Sequence, residues 1–299
     1  MRDPDAPVKF TPRRHMRRAC GFAAAVAVVA AVGVATYIYR ESSFDDYVTV
    51  PERQLPLDWL SHLKVGIIGD SWVAGRKLDE PLRQRLSELG LQAEVVSSGH
   101  PGAKSRQIYR DLFADQAKPY SSKALLLDDD LDYPVVIAGV NDTAGHIGRD
   151  FYAHHIVGII KDAQERAVQP VIVEVPEYGI ESTPPDGALS WCKRSLFMYL
   201  FDGGKANVID DYRRELLARL AKMPAPVTVI QFKTIIQDYA SGVNYYANPS
   251  HLNQKGNSAL ASLIARELTE LHNKTVQRTG ASRSAQETNR TSSAAGSGR

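Results

Sequence analysis

Short apolar segments alternate with amphipathic segments through the middle of the chain, and this alternation limits the folds open to it. The apolar segments predict buried strands at 65–69, 93–97, 133–139, 170–175 and 227–232. Between and after them, a 3.6-residue hydrophobic period predicts helices at 78–89, 105–114, 148–167 and 256–272. Strands that alternate with helices predict an α/β fold with a mostly parallel five-stranded sheet and helices on both faces.

The N-terminal region carries a stretch, 19–39, that has no charged residue and is rich in Ala and Val. Its length is close to the ~20 residues that span a bilayer core. Arg13, Arg14, Arg17 and Arg18 precede it, and this basic excess predicts a cytoplasmic N-terminus with the rest of the chain periplasmic or extracellular. The alternative is a cleaved signal peptide, which would leave a secreted protein.

Composition then divides the remaining chain. Segment 1–18 is basic and cytoplasmic in this prediction, 40–61 is a polar linker, and 62–273 is the globular domain. The tail, 274–299, has almost no large apolar residues and is predicted to be disordered. A net charge of +2 gives no reason to expect nucleic acid as a partner, and Cys20 and Cys192 lack the spacing of a metal site.

Polar residues lie in four loops of the predicted fold, and these loops meet at one edge of the parallel sheet. Gly69, Asp70 and Ser71 end the first strand, and a glycine-rich turn containing Gly99 and Gly102 ends the second. The other two signals are Asn141 after the third strand and His251 before the last helix. A serine, a histidine base and donors for an oxyanion are the requirements of acyl transfer through a serine.

These residues resemble the sequence blocks of the SGNH (GDSL) hydrolases over about 64–271. Trp72 follows the Gly-Asp-Ser block where leucine is commoner, and Ser97 stands where the second block has asparagine. The third block matches at Gly139, Asn141 and Asp142, whereas the last matches only as Asn248-Pro-Ser-His251. The resemblance implies a flavodoxin-like three-layer α/β/α sandwich, here preceded by one transmembrane helix.

By this resemblance, Ser71 is the nucleophile and His251 the base. The oxyanion hole is then formed by the backbone N–H groups of Ser71 and Gly102 and by the side-chain amide of Asn141. Neither a metal nor an organic cofactor is implied. Asn248 occupies the position of the family's aspartate, so the group that orients His251 supplies no charge; Asp238 or Glu177 are alternative carboxylates for that role.

Four further residues are candidates for substrate binding: Trp72, His100, Glu177 and Tyr178. An insertion over 178–204 interrupts the alternation on the same edge and is expected to shape the pocket. The resulting hypothesis is a serine esterase that cleaves O-acyl esters, chiefly O-acetyl, of a carbohydrate or another small acyl ester. Two alternatives are an O-acyltransferase that modifies an exported polysaccharide and a weakened, glycan-binding module.

Overall fold

Five parallel strands form the central sheet of the computed structural model, in the order β2-β1-β3-β4-β5. The structure describes residues 13–49, 63–127, 131–183, 185 and 187–296. The strands are β1 (Leu63–Gly69), β2 (Ala93–Gly99), β3 (Tyr133–Ile137), β4 (Val171–Val173) and β5 (Thr228–Ile230). The predicted parallel sheet is therefore confirmed, and each strand lies within a few residues of its predicted position.

Ten helices accompany the sheet in the described ranges. They are α1 (Arg13–Ser42), α2 (Ser71–Ala74), α3 (Asp79–Glu88), α4 (Ser105–Asp111), α5 (Lys123–Leu127), α6 (Val140–Ala144), α7 (Arg149–Glu165), α8 (Gly187–Phe201), α9 (Ile209–Leu220) and α10 (Gln254–Gly296). Helices α3 and α10 pack on each other, and α4, α7 and α9 pack in series. Strands β1, β3 and β4 are apolar and buried along nearly their whole length, as expected where helices cover both faces of a sheet.

Strand order places a topological switch point next to β1. The chain passes from β1 outward to β2, then returns to add β3 on the other side of β1. At such a point the loops after neighbouring strands diverge and leave a crevice at the carboxyl edge of the sheet. Ser71 follows β1 and Asn141 follows β3, so the sheet order alone brings both to this crevice.

The N-terminal unit, Met1–Ser43, contains helix α1 and is separate from the unit Phe44–Arg299. Within the described residues, Ala25–Ser42 is the one segment long and apolar enough to cross a membrane, and none of it is buried in protein. Such a helix fits either a membrane anchor or a signal sequence. The predicted span, 19–39, overlaps this segment.

Three regions differ from the sequence predictions. Residues 44–48 of the predicted linker pack on the domain, where Asp45 accepts hydrogen bonds from Arg106 (2.9 Å) and Arg110 (2.7 Å). The insertion contains helix α8, because Phe197 on one of its faces is fully buried. Helix α10 continues past residue 274 to Gly296, since extending an existing helix adds one hydrogen bond for each residue ordered. The rest of the linker, 50–61, and the first residue of the predicted domain, 62, lie outside the described residues.

Candidate active site

Ser71 is the first residue of helix α2, directly after strand β1. Asp70 caps this short helix, and its Oδ1 accepts a hydrogen bond from the N–H of Trp72 (3.0 Å). The first N–H groups of a helix have no partner within it. Among the described residues, no acceptor pairs with the Ser71 N–H. Ser71 therefore carries both a hydroxyl and a backbone donor that is available to a ligand.

His251 faces Ser71 from a small two-stranded sheet formed by β6 (Tyr246–Asn248) and β7 (His251–Leu252). The distance between His251 Nε2 and Ser71 Oγ is 3.0 Å, which is hydrogen-bonding distance. Residues 180 positions apart in the sequence are thus in contact. A nucleophile and a base within this reach are the core of serine-type acyl transfer.

Hydrogen bonds at Asn248 fix the protonation pattern of the histidine. The backbone N–H of Ser250 can only donate, and it points at one oxygen, Asn248 Oδ1 (3.0 Å). The same oxygen lies 3.1 Å from His251 Nδ1, and a hydrogen bond between these two atoms requires the proton on Nδ1. The opposite nitrogen, Nε2, is then an unprotonated acceptor and takes the hydrogen bond of the Ser71 hydroxyl.

Among the residues that the structure describes, no carboxylate hydrogen-bonds His251 Nδ1 beside Asn248. The Ser250 hydroxyl lies 3.2 Å from His251 Nδ1 and from Asn248 Oδ1, so the partners of the imidazole are neutral. Burial, and then the positive charge of Lys77, lower the pKa of His251 below its ordinary value. The histidine is therefore a base in neutral solution, but none of its hydrogen-bond partners among the described residues carries a charge that would stabilise the imidazolium.

Asn141 lies on the other side of Ser71, in helix α6 after strand β3. Gly139 precedes this helix with a φ of 117°, and a Cβ there would lie 2.7 Å from Val175 Cγ2, so the turn requires glycine. The Asn141 amide nitrogen donates to Ala103 O (3.0 Å) and to Asp70 Oδ2 (3.2 Å). Both amide protons are therefore held, and donation to an oxyanion requires one of these bonds to be shared or released.

Two fully buried carboxyl groups support the Asn141 side. Burial raises the pKa of Asp70 to about 7, against the hydrogen bond from Trp72, and the charge of Asp142 adds to the rise. Burial also raises the pKa of Asp142 to about 6, although the N–H (2.9 Å) and hydroxyl (2.6 Å) of Ser105 both donate to it. Asp142 therefore ties helix α6 to helix α4.

Gly102 lies in the turn between β2 and α4, with a φ of 74° that favours glycine. Its N–H has no acceptor among the described residues. The next residue, Ala103, supplies the carbonyl that accepts from Asn141. One hydrogen bond, to Ala103 O, thus joins Asn141 to the turn that contains Gly102, and within the described part of the chain the N–H groups of Ser71 and Gly102 are open at this edge.

Trp72 is buried, with its ring edge-to-face against Phe232 at 5.8 Å between centroids. Its indole N–H donates to the carbonyl of Ser250 (2.8 Å), the residue before His251. The residue after the nucleophile therefore holds the loop that carries the base. Neither Trp72 nor Ser250 was identified in this role from sequence; the indole in place of leucine was the available signal.

The other three candidates for substrate binding are engaged elsewhere. His100 Nδ1 pairs with Asp111 Oδ2 (2.7 Å), and its ring stacks on Tyr120. Glu177 forms a buried ion pair with Arg213 (2.6 Å). The buried Tyr178 hydroxyl bonds the side chain of Thr143 (2.9 Å) and the carbonyl of Val140 (3.2 Å), so it braces helix α6.

Neither alternative carboxylate contacts the histidine. Glu177 is committed to Arg213, and Asp238 is an exposed residue that accepts the N–H of Ser241 (2.8 Å). Within the ranges that the structure describes, no group of three or more His, Cys, Asp and Glu side chains is arranged to hold a metal ion. The arrangement is suited to chemistry carried by the serine, the histidine and backbone and amide donors.

Comparisons with known proteins give no match to a family model and none to a curated protein sequence. Among solved structures, a lipase/acylhydrolase from Enterococcus faecalis is 18% identical, with a TM-score of 0.50 over 70% of this chain and 96% of that chain. A GDSL-like lipase from Bacteroides thetaiotaomicron is 13% identical, with a TM-score of 0.49 over 73% and 91% of the two chains.

A carbohydrate acetylesterase from Sinorhizobium meliloti is also similar, at 15% identity and a TM-score of 0.45 over 70% of this chain and 99% of that chain. At 18% identity, the similarity to the Enterococcus faecalis structure is evidence of a shared fold. That similarity agrees with the parallel five-stranded sheet. The chain shares the α/β fold of this lipase/acylhydrolase structure.

Proposed function

We propose that this protein is a serine esterase that cleaves O-acyl esters, such as O-acetyl groups on a carbohydrate, through an acyl-serine intermediate. The observation that carries the proposal is the 3.0 Å contact between His251 Nε2 and Ser71 Oγ, with Nδ1 oriented by Asn248. This contact lies at the carboxyl edge of a parallel sheet, where ligands of such folds bind.

In the proposed reaction, Ser71 Oγ attacks the ester carbonyl carbon while its proton passes to His251 Nε2. The negative oxygen that forms is held by the N–H groups of Ser71 and Gly102 and by the Asn141 amide. Collapse of this intermediate breaks the bond to the alcohol, which takes the proton from His251. Water then attacks the acyl-serine by the same sequence and releases the acid.

The N-terminal helix supports a proposal about location. Its apolar segment and the arginines before it fit an uncleaved anchor with a cytoplasmic N-terminus, the domain lying on the periplasmic or extracellular side. The substrate would then be met outside the cytoplasm. Protease protection of the N-terminus and of the domain in intact cells tests this orientation.

The decisive experiment compares the full chain with Ser71→Ala, using 4-nitrophenyl acetate and a fluorophosphonate probe. Loss of the nucleophile should lower kcat by roughly 10⁴ or more and abolish labelling. Ser262→Ala is the matched control, because its hydroxyl bonds only a helix carbonyl (Ser258, 2.8 Å). Equal turnover by wild type and Ser71→Ala would rule out Ser71 as the nucleophile. Binding of a glycan by the wild-type chain, without labelling by the fluorophosphonate, would favour a glycan-binding module.

A further inference from the structure

A groove with a volume of about 630 Å³ lies between helices α3 and α10, and one end of it is beside the candidate base. That end is lined by Lys77, in the turn between α2 and α3, and by Gln254, the first residue of α10. Gln254 is three residues beyond His251, and the charge of Lys77 helps to lower the pKa of that histidine after burial. The volume is within the roughly 300–1,000 Å³ typical of small-molecule sites.

The α10 wall of the groove is fixed to the strand that carries the histidine. Asn257, in the first turn of α10, is buried, and its amide nitrogen donates to the carbonyls of Leu252 (3.2 Å) and Asn253 (2.8 Å). Leu252 is the residue after His251 in strand β7. The groove and the base are therefore parts of one hydrogen-bonded unit.

The proposed reaction determines which part of an ester this groove would meet. His251 gives its proton to the departing alcohol, so the alcohol oxygen must come within hydrogen-bonding reach of Nε2. The oxyanion donors lie on the other side of Ser71, with Asn141. The alcohol part of the ester therefore extends on the histidine side, where the groove begins.

The lining of the groove is suited to hydroxyl groups. Among its described lining residues, Pro81 is the one apolar side chain. At the end near the histidine, the Lys77 ammonium, the Gln254 amide and the Ser258 hydroxyl form no hydrogen bond or ion pair with other described residues. An alkyl chain would cover these groups without replacing their hydrogen bonds to water, which is unfavourable. A polyhydroxylated ligand can donate to the amide and hydroxyl oxygens and accept from all three groups.

Charges along the groove balance, which favours an uncharged ligand. Lys77 and Arg85 face the carboxylates of Glu80 and Glu88, so the lining has two groups of each sign. At the far end, Glu88 accepts hydrogen bonds from Arg85 (2.6 Å) and Gln84 (3.0 Å). Charged side chains there already have partners, and no excess charge remains for an ionic ligand to neutralise.

The groove is also elongated. Its lining on α3 runs from Glu80 to Glu88, and a rise of 1.5 Å per residue makes this about 12 Å. This length exceeds the width of one sugar ring.

From these observations we propose that the groove binds the alcohol part of the ester as an uncharged sugar chain. The preferred substrate is then an acylated oligosaccharide or polysaccharide, in place of a monosaccharide or lipid ester. This inference rests on the proposed esterase function and names the substrate class of the same site.

The test compares kcat/KM of the full chain for O-acetylated tetrasaccharides and for the matching O-acetylated methyl glycosides. Four sugars are used: xylose, glucose, mannose and N-acetylglucosamine. We expect kcat/KM to be about tenfold higher for the tetrasaccharide with at least one sugar, because further rings add hydrogen bonds in the groove. Equal kcat/KM for both lengths with all four sugars, with turnover that depends on Ser71, would overturn the inference and leave the esterase function standing.

Two substitutions locate the preference. Gln254→Ala and Ser258→Ala should each reduce it about threefold to tenfold, since each removes a side chain that can bond the sugar chain. Turnover of 4-nitrophenyl acetate should stay unchanged, because its alcohol is too short to occupy the groove. Gln164→Ala is the matched control, in the last turn of α7 before β4 at the opposite edge of the sheet. A preference that survives both groove substitutions would contradict the proposed site.

Binding separates the two proposals if no ester is cleaved. Calorimetric titration of the full chain with the four unacetylated tetrasaccharides needs no turnover. Binding of one of them, weakened by Gln254→Ala and Ser258→Ala, with no turnover of any ester would support the groove and contradict the esterase. Binding of none of them, or binding that both substitutions leave unchanged, would contradict the groove.

Discussion

On one side of Ser71, the Asn141 amide is held by a carbonyl and a buried carboxyl group, and Asp142 joins the neighbouring helices. On the other side, His251 rests on the exposed Asn248 and on Ser250, in a sheet of two short strands. The oxyanion side is thus buried and contains two carboxyl groups, whereas the base side is shallow and neutral.

This difference indicates where the proposed reaction is well supported and where it is weak. The open N–H groups of Ser71 and Gly102 belong to the backbone and need no reorganisation when the oxyanion forms, whereas the Asn141 amide must share or release one of its two bonds. An imidazolium beside a neutral amide gains no ion pair, so proton transfer to His251 is less favourable than beside a carboxylate. The base side is therefore the part that a substitution should be able to improve.

Removing a donor on the buried side should have the largest effect. Asn141→Ala deletes an amide proposed to donate to the oxyanion, and we expect kcat to fall ~10²–10³-fold with little change in KM. Steady-state kinetics and a thermal melt of the same sample separate this effect from unfolding. Asn207→Ala, outside the site, serves as the control. A kcat within threefold of wild type would exclude Asn141 from the oxyanion hole.

A negative charge beside His251 should strengthen the base side, which has neutral hydrogen-bond partners. In Asn248→Asp, the carboxylate favours the imidazolium, so the pKa of His251 should rise by about one unit or more. Because the neutral imidazole is the base, the acidic limb of kcat/KM against pH should move upward by the same amount. The plateau rate should increase roughly tenfold, since the imidazolium gains a partner.

The control for Asn248→Asp is Asn244→Asp, which makes the same charge change on an exposed turn just before β6. It should leave the acidic limb in place. If Asn248→Asp also leaves the limb unmoved, His251 is not the titrating base.

The sheet and the meeting of Ser71 with His251 were within reach of sequence analysis. Apolar strands alternating with helices allow few arrangements, and the carboxyl ends of parallel strands share one edge. The Gly-Asp-Ser and Asn-Asp signals therefore fell at loops whose relative positions the fold determines. For the same reason, the sequence also predicts Gly102 at this edge.

Contacts between distant side chains were not within reach. The bond from the Trp72 indole to Ser250 joins residues 178 positions apart and depends on how Trp72 packs against Phe232. Glu177 was expected near the substrate, but its burial beside Arg213 follows from helix α9, which no local pattern at Glu177 reveals. Helix α8 likewise depends on a tertiary contact, the burial of Phe197.

A smaller effect is expected from loosening the histidine loop. Trp72→Phe keeps an aromatic ring against Phe232 but removes the indole N–H that holds Ser250. We expect kcat and the rate of fluorophosphonate labelling to fall about fivefold to tenfold, with KM unchanged, because one hydrogen bond no longer positions His251. Phe232→Leu alters the same packing without touching the N–H, and it should change the melting temperature more than kcat. If Trp72→Phe instead lowers the melting temperature but leaves kcat unchanged, Trp72 has a packing role alone.

The smallest predicted effect concerns the buried side and the dependence of stability on pH. A carboxyl group with a pKa near 6 in the fold, against about 4 when unfolded, binds a proton between these values that the unfolded chain has lost. The contribution of Asp142 to stability therefore grows as the pH falls from about 6 to 4 and is lost as it rises. Asp142→Asn keeps partners for Ser105 but cannot titrate, so the melting temperature should vary less over this range, by about 4–8 °C. The control is Asp115→Asn, on an exposed turn, which should leave the dependence of melting temperature on pH as it is in the wild type. If Asp142→Asn also has the wild-type dependence, Asp142 is already ionised in the fold at pH 4.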